Sequence, residues 1–215
     1  MDVTNYADEV IAIRALNFAR KMHEGQTRKD GSPYEHHVFR VGAYARNAGL
    51  DVPGIVVAYL HDTREDQRER LVAEAERRYG SVPATEHDEC IDRLLAERFH
   101  RDVPRLLWGL TDDPGWKRFS PRQRKALQAQ KVRFCDDRVR VVKLCDVLDN
   151  TEACLAGGPE HWRSPQVFRE YIEGNYRVAE ACFGLSHDLD ARFRRTYEKA
   201  RRLHFDRVAP QSSSF

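Results

Sequence analysis

The feature that most constrains this chain is a single hydrophobic period. Apolar residues return every three or four positions along nearly its whole length. Ala12, Ala15, Leu16, Ala19 and Met22 form one such stripe, and Val38, Val41, Ala45 and Ala48 a second. Pro53 suits the first turn of a helix, whose apolar face runs on through Val57 and Leu60 to His61. Later stripes begin at Ile91 and Val103, pass through Val141, Leu144, Cys145 and Leu148, then through Phe168, Tyr171, Ile172, Val178, Ala179 and Cys182, and end with Leu189, Phe193, Tyr197 and Ala200. No alternation of period two is sustained, and no repeat of fixed length occurs. Asp30-Gly31-Ser32-Pro33 and Gly157-Gly158-Pro159 break the pattern as loops. The spacings predict an all-α fold: one domain over residues 1–208 with about eight to ten helices, and a flexible tail over 209–215. Residues 112–130 are predicted to mix loop and helix. The polar run Thr85-Glu86-His87-Asp88-Glu89 reads as a linker, and Ser186 as the N-cap of the last helix.

Charge narrows the function. Lys and Arg number 36 against 34 Asp and Glu, a net charge of +2, which argues against a polybasic nucleic-acid tail or an acidic disordered chain. No run approaches the about 18 apolar residues of a membrane span. The opening MDVTNYADEV resembles neither a secretory nor a transit peptide. Five cysteines without C-x-x-C spacing read as reduced thiols of a cytoplasmic protein. The charges are unevenly placed: between Trp116 and Lys143 ten basic residues face only Asp136 and Asp137, so this window carries 10 − 2 = +8 and the remainder 2 − 8 = −6. Such a run is ordinarily a solvated helix face. A wall for a phosphorylated ligand is the other reading, because phosphate oxygens draw several cationic donors at once. Its position, ending beside a buried acidic cluster, favours the second, with Arg124, Lys125 and Lys143 as the candidate phosphate contacts.

His-Asp occurs at 61–62, 87–88 and 187–188, and only the first ends a strongly apolar run, Ile55-Val56-Val57-Ala58-Tyr59-Leu60. That run drives an imidazole and a carboxylate inward, which is costly unless they are paired or bind a cation. Glu65 and Asp66 stand four residues after His61 and Asp62. On a continuous helix all four share an arc of about 140°, and a divalent ion would relieve the repulsion of three carboxylates. Taken alone, the pattern equally fits a solvated acidic helix end with Arg64 and Arg68 as counterions. His37, with Val41 and Tyr44 at i+4 and i+7, faces inward. Asp146 lies in the apolar setting Lys143-Leu144-Cys145-Asp146-Val147-Leu148 and shares a helix face with Asn150. Two His and two Asp from three helices suit Mn²⁺, Fe²⁺ or Zn²⁺ with positions left open for water.

These residues also resemble a known family. Ala15-Leu16-Asn17-Phe18-Ala19, His23, Gly25-Gln26-Thr27-Arg28-Lys29-Asp30-Gly31 and Pro33-Tyr34-Glu35-His36-His37 are similar to the opening of the RelA/SpoT-type hydrolase domain. Leu60-His61-Asp62-Thr63-Arg64-Glu65-Asp66 resembles its L-H-D-T-x-E-D element, Leu110-Thr111-Asp112-Asp113 and Arg122 to Gln128 later ones, and Val142 to Asn150 its K-L-A-D-x-L-x-N. The likeness covers roughly residues 10–185, and the chain, ending at Phe215, resembles a stand-alone small alarmone hydrolase. It implies an all-helical HD-superfamily enzyme, typically Mn²⁺-dependent, that removes the 3′-pyrophosphate of (p)ppGpp or a related nucleotide such as (p)ppApp. By this resemblance the metal ligands fall on His37, His61, Asp62 and Asp146, and the catalytic acids on Glu65 and Asp66. Nucleotide contacts fall on Arg28, Lys29, Asn150 and Tyr171. Three positions depart from the pattern: Arg64 replaces an apolar residue, Cys145 an Ala, and Asp149 a Tyr or His, the last adding a negative charge near the site.

The implied reaction is hydrolysis between the 3′ oxygen and the pyrophosphoryl group, with Glu65 and Asp66 orienting or deprotonating water and Arg28 able to stack on the purine. The partner is then a small nucleotide, not nucleic acid or membrane. Two alternatives are another HD-superfamily nucleotide phosphohydrolase, such as a 5′-nucleotidase or an NADPH phosphatase, and a sensor that binds alarmone without turnover. The Arg28-Lys29 and Pro33-Tyr34 elements weigh against the first, the intact Glu65-Asp66 pair against both.

Overall fold

Asp51 opens the helix at the centre of the molecule: its side chain accepts from the Gly54 N–H, and Pro53 occupies the first turn. The computed structural model describes residues 3–205, so the boundary at 208 and the tail at 209–215 lie outside the described residues. The helices are α1 (Val3–Met22), α2 (Glu35–Asn47), α3 (Val52–Leu60), α4 (Thr63–Asp66), α5 (Arg68–Tyr79), α6 (His87–Arg98), α7 (Val103–Leu110), α8 (Pro121–Val132), α9 (Asp137–Gly157), α10 (Pro165–Glu180) and α11 (His187–His204). With α4 a single turn, ten longer helices remain among the described residues. Two short 3₁₀ segments, Ala84–Glu86 and Pro114–Arg118, join neighbours. No strand forms among the described residues, only an isolated antiparallel bridge between Thr27 and Pro33. The fold is all-α, as the periodicity requires.

Helix α3 is apolar all round, and every residue from Pro53 to Leu60 is buried, so it lies at the centre, where such a helix must. Helices α1, α2, α7 and α9 surround it. The buried stripe of α2, His37, Val38, Val41, Gly42, Tyr44 and Ala45, repeats at three and four and turns one face to α3. A side chain at Gly42 would collide with the Tyr59 ring, so glycine there sets how closely the two helices approach. Helix α9 is buried on most of its circumference, from Val139 to Cys154, and meets α2 and α3 on one side and α10 and α11 on the other. A second apolar cluster, Cys154, Phe168, Ile172 and Ala200, ties these last three together.

Local chemistry sets the boundaries near the site. Ser120 and Gln123 form a reciprocal capping box at the start of α8, so residues 112–130 do contain the predicted mixture of loop and helix. Ser164 caps α10 through the Val167 N–H. Ser186 takes the N-cap position of α11, but its side chain makes no capping hydrogen bond. The linker expected at 85–89 is corrected. After the 3₁₀ turn, α6 starts at His87, with Asp88 and Glu89 in its first turn. Acids there favour the positive end of the helix dipole, and a polar run that looks like a connector is a helix start. Among the described residues no helix is long and apolar enough to cross a membrane.

Candidate functional site

Four residues from three segments converge on one buried point. His37 comes from the first turns of α2, His61 and Asp62 from the turn between α3 and α4, and Asp146 from the middle of α9. His37 and His61 are 1% and 2% exposed. Their Nε2 atoms lie 3.1 Å apart. Asp146 Oδ1 is 3.6 Å from His37 Nε2 and 3.9 Å from His61 Nε2, and one ligand atom from each of the three residues falls within 4.8 Å of the others. Asp62 Oδ2 stands 2.9 Å from His61 Nε2 and 3.7 Å from His37 Nε2, held by a hydrogen bond from the Tyr34 hydroxyl.

The two rings show why this point suits a cation. His61 Nδ1 lies 2.9 Å from the Ala58 carbonyl oxygen, and His37 Nδ1 2.7 Å from Asp149 Oδ2. A carbonyl or a carboxylate can only accept, so each Nδ1 carries the hydrogen. Both Nε2 atoms are therefore left with lone pairs pointed at each other across 3.1 Å. Two acceptors in that position repel unless a positive centre sits between them, and two carboxylates complete a mixed N/O donor set fit for a divalent ion. The same negative surroundings favour positive charge on His61 itself. Burial opposes charge on His61, but the carboxylates of Asp62 and then Asp146 outweigh it and push the imidazole up to about 9. Asp62, against the cost of its own burial, is held well below the usual carboxylate range, chiefly by His61.

The surrounding groups are paired with care. Asp146 accepts from Asn150 Nδ2 at 2.6 Å and from Lys143 Nζ at 3.0 Å. Arg28 reaches Asp149 Oδ2 at 2.7 Å and Asn150 Oδ1 at 2.9 Å. The turn that presents Arg28 and Lys29 is closed by Arg28 N–H to the Ser32 carbonyl and by Asp30, which accepts from the Ser32 N–H and hydroxyl. Gly31, at φ 81°, makes the reversal. The guanidinium expected to stack on a purine is thus already fixed edge-on by two α9 side chains.

Glu65 and Asp66 diverge. The helix breaks between Leu60 and Thr63, so the predicted continuous arc does not form. Glu65 turns toward α7, where its carboxylate accepts from the Asp112 N–H at 3.2 Å. Burial, then the Asp112 and Asp62 charges, push it up to about 7. Asp66 turns toward the α1–α2 loop and accepts from Gln26 Nε2 at 2.9 Å; burial and Asp62 raise it too. Arg64 is not the counterion of these acids. It is buried, pairs with Asp88 and Asp92 of α6, and lies 4.0 Å from the Trp108 ring centre.

A cavity of about 520 Å³ opens beside Glu65, walled by Asp112, Arg124, Lys125, Gln128 and Tyr171. A second, of about 320 Å³, lies over Arg28, Tyr34, Asn150, Cys154 and Trp162, and the two share Lys29, Trp162 and Tyr171. Lys29 Nζ sits 3.3 Å above the Trp162 ring centre. Lys125 is pushed down to about 8, by burial and then by Lys143. Its stem lies against Gly174 of α10, where an added Cβ would come 2.8 Å from Lys125 Cγ. The basic window divides here: Arg124 and Lys125 line the cleft, Lys143 turns to Asp146, and Arg138 turns away to Asp51, Asp102 and Asp136.

Of the thirteen residues singled out from sequence, His37, His61, Asp62 and Asp146 meet at the point itself, Lys143 and Asn150 bond Asp146, and Arg28 bonds Asn150; Lys29, Glu65, Arg124, Lys125 and Tyr171 line the cavities beside it, and Asp66 turns toward Gln26. Sequence reasoning gave no role to Tyr34, Trp162 or Asp149. Asp149 was expected to add negative charge near the site. It is instead matched by Arg28, Arg40 and His37, which hold its carboxyl far below the usual range despite burial. An acid 1% exposed inside an apolar stripe was the available signal.

Comparison with known proteins agrees with this geometry. The model of a family described as HD domain matches residues 15–172. A guanosine-3′,5′-bis(diphosphate) 3′-pyrophosphohydrolase MESH1 from Danio rerio is 26% identical over 90% of this chain and 96% of its own. The Homo sapiens protein of the same name is 28% identical over 87% and 93%. A solved structure of a metazoan ortholog of SpoT superposes with a TM-score of 0.68 at 23% identity, covering 88% of this chain and 94% of that one, which establishes a shared fold.

Proposed function

Because this chain belongs to the HD-domain family, we propose that its buried centre holds a divalent cation, Mn²⁺ in the first instance, and hydrolyses the 3′-pyrophosphate of (p)ppGpp or a related alarmone such as (p)ppApp. The products are pyrophosphate and the nucleoside 5′-di- or triphosphate. The observation that carries this reading is the pair of imidazole Nε2 atoms 3.1 Å apart, beside two carboxylates and below a cleft lined with cations. The full-length likeness to two proteins named as 3′-pyrophosphohydrolases supports the choice of substrate.

His37, His61, Asp62 and Asp146 would hold the ion, which when bound supplies Lewis acidity and a more acidic water. The chain's own groups do the rest. Tyr34 holds Asp62 in place, and Lys143 with Asn150 holds Asp146. Glu65, protonated more readily than an ordinary glutamate, is suited to take a proton from water near neutral pH, and Asp66, fixed by Gln26, orients the same water from the other side. Arg124, Lys125 and Lys143 bind phosphate oxygens. Arg28, Lys29, Asn150 and Tyr171 hold the nucleoside in the adjoining cavity. The catalytic unit spans residues 1–208, and the five free thiols fit a cytoplasmic setting.

The deciding experiment offers guanine and adenine 3′-pyrophosphorylated nucleotides, and a nucleoside monophosphate, to Mn²⁺-loaded protein. Pyrophosphate release from the first two supports the proposal. Orthophosphate from the monophosphate alone would make it a different HD-type phosphohydrolase, and tight binding without product a sensor.

A further inference from the structure

We propose that Asp149 is a positioning residue that couples the metal centre to Arg28. Its one buried carboxylate fixes His37 with Nε2 toward the ion and anchors the arginine at the mouth of the neighbouring cavity. This rests on the reading of His37 as a metal ligand.

Asp146 and Asp149 are three residues apart on α9 and so lie on one side of it. Between them stands the His37 ring, with Asp146 Oδ1 at 3.6 Å from Nε2 and Asp149 Oδ2 at 2.7 Å from Nδ1. The rear carboxylate accepts the Nδ1 hydrogen, which selects the tautomer whose free nitrogen faces the centre. The same Oδ2 accepts from Arg28 at 2.7 Å, Arg28 donates to Asn150 Oδ1 at 2.9 Å, and Asn150 donates to Asp146 Oδ1 at 2.6 Å. His37, Asp149, Arg28, Asn150 and Asp146 thus form a circuit, closed by the 3.6 Å approach of Asp146 to His37, that passes through two ligands and two nucleotide contacts. Arg40 completes the outer side of Asp149, its own side chain 41% exposed. Remove the carboxylate charge, and two guanidinium groups are left uncompensated beside the place a divalent cation must enter. Groups behind a metal-binding histidine typically matter by about 10–100-fold in metal affinity.

The test titrates Mn²⁺ into metal-stripped wild type, Asp149→Asn, Asp149→Ala and Arg28→Ala by calorimetry, with thermal melts to establish folding. ¹⁵N shifts of His37 are recorded in the metal-free wild type. We expect His37 to carry its hydrogen on Nδ1. Asp149→Asn, which keeps an acceptor but loses the charge, should bind Mn²⁺ about 10-fold more weakly, and Asp149→Ala up to about 100-fold. Arg28→Ala should not weaken Mn²⁺ but should raise KM for the nucleotide, and adding Asp149→Ala to it should raise KM little further. A purely structural role would lower the melting temperature and leave Mn²⁺ affinity and the KM coupling untouched. Unchanged Mn²⁺ affinity in folded Asp149→Asn, or a His37 hydrogen on Nε2 in wild type, overturns the proposal. Failure of the wild type itself to bind Mn²⁺ would instead remove the metal reading beneath it.

Discussion

On α9, Lys143, Asp146, Asp149 and Asn150 all have polar partners at hydrogen-bond distance. On α8, across the same cleft, Arg124 and Lys125 meet no carboxylate among the described residues, and Arg124 Nε and Gln128 Oε1 are buried without a partner. The first surface is complete before substrate arrives. The second carries positive charge that burial makes costly, and an anion would relieve that cost. On the proposed function, Asp146 and Asp149 of α9 serve the ion and Arg124 and Lys125 of α8 serve its substrate, so damage to the two sets should read differently: in metal content for the first, in substrate affinity for the second.

The largest effect should come from the centre itself. His61→Ala should lower metal content and abolish turnover together, and full occupancy in a His61→Ala, Asp146→Ala double variant would dissolve the distinction between the helices. Next come Glu65→Gln and Asp66→Asn, each expected to reduce kcat by about 10²–10⁴-fold with metal content and affinity nearly intact, so that kcat and kcat/KM fall alike. If metal is lost instead, these acids are ligands. A base must be deprotonated to act, so activity should rise with pH through a limb set by Glu65, at about 7 without an ion and lower with a cation nearby. Glu65→Gln should erase that limb in a pH profile.

The α8 wall predicts smaller changes. Arg124→Ala and Lys125→Ala should each raise KM by about 10–100-fold, the worth of one charge-assisted hydrogen bond, and leave metal content alone. Raising salt should weaken substrate binding in wild type by screening and do so less in these variants. Duplex DNA should bind poorly, since the whole chain carries only +2. Submicromolar, sequence-independent DNA binding at physiological salt would mean the wall serves another polymer. The smallest effect is on stability: chelation should lower the melting temperature by a few degrees, because an ion bound only to the native state stabilises it.

How much of this was legible in the sequence follows the same division. His37, His61 and Asp146 could be found because an ionisable group on the apolar face of a helix is costly without a reason, and period alone shows the face. The divergence of Glu65 and Asp66 could not, since it depends on a helix that stops after Leu60 and restarts at Thr63, a break that neither Gly nor Pro marks. Nor could the division of the basic window: Arg138 finds Asp51 and Asp102, residues distant in the chain that only packing brings near. His87 read as linker because the polar first turn of a helix and a loop share a composition. Asp149 departs from the family pattern, and its compensation was not legible because its partners lie more than a hundred positions away.

Gly174 has no functional group, yet it fixes where a functional one can be. Glycine inside a helix costs about 0.5–1 kcal/mol relative to alanine, so a stability-guided redesign would mark Gly174→Ala as an improvement. The added methyl would press on Cβ and Cγ of Lys125, too near the backbone for the side chain to swing clear, and would move the amine or part α8 from α10. If Lys125 holds an anion as proposed, a protein optimised for heat at that position would lose its grip on it, and a screen limited to polar residues would never find out why.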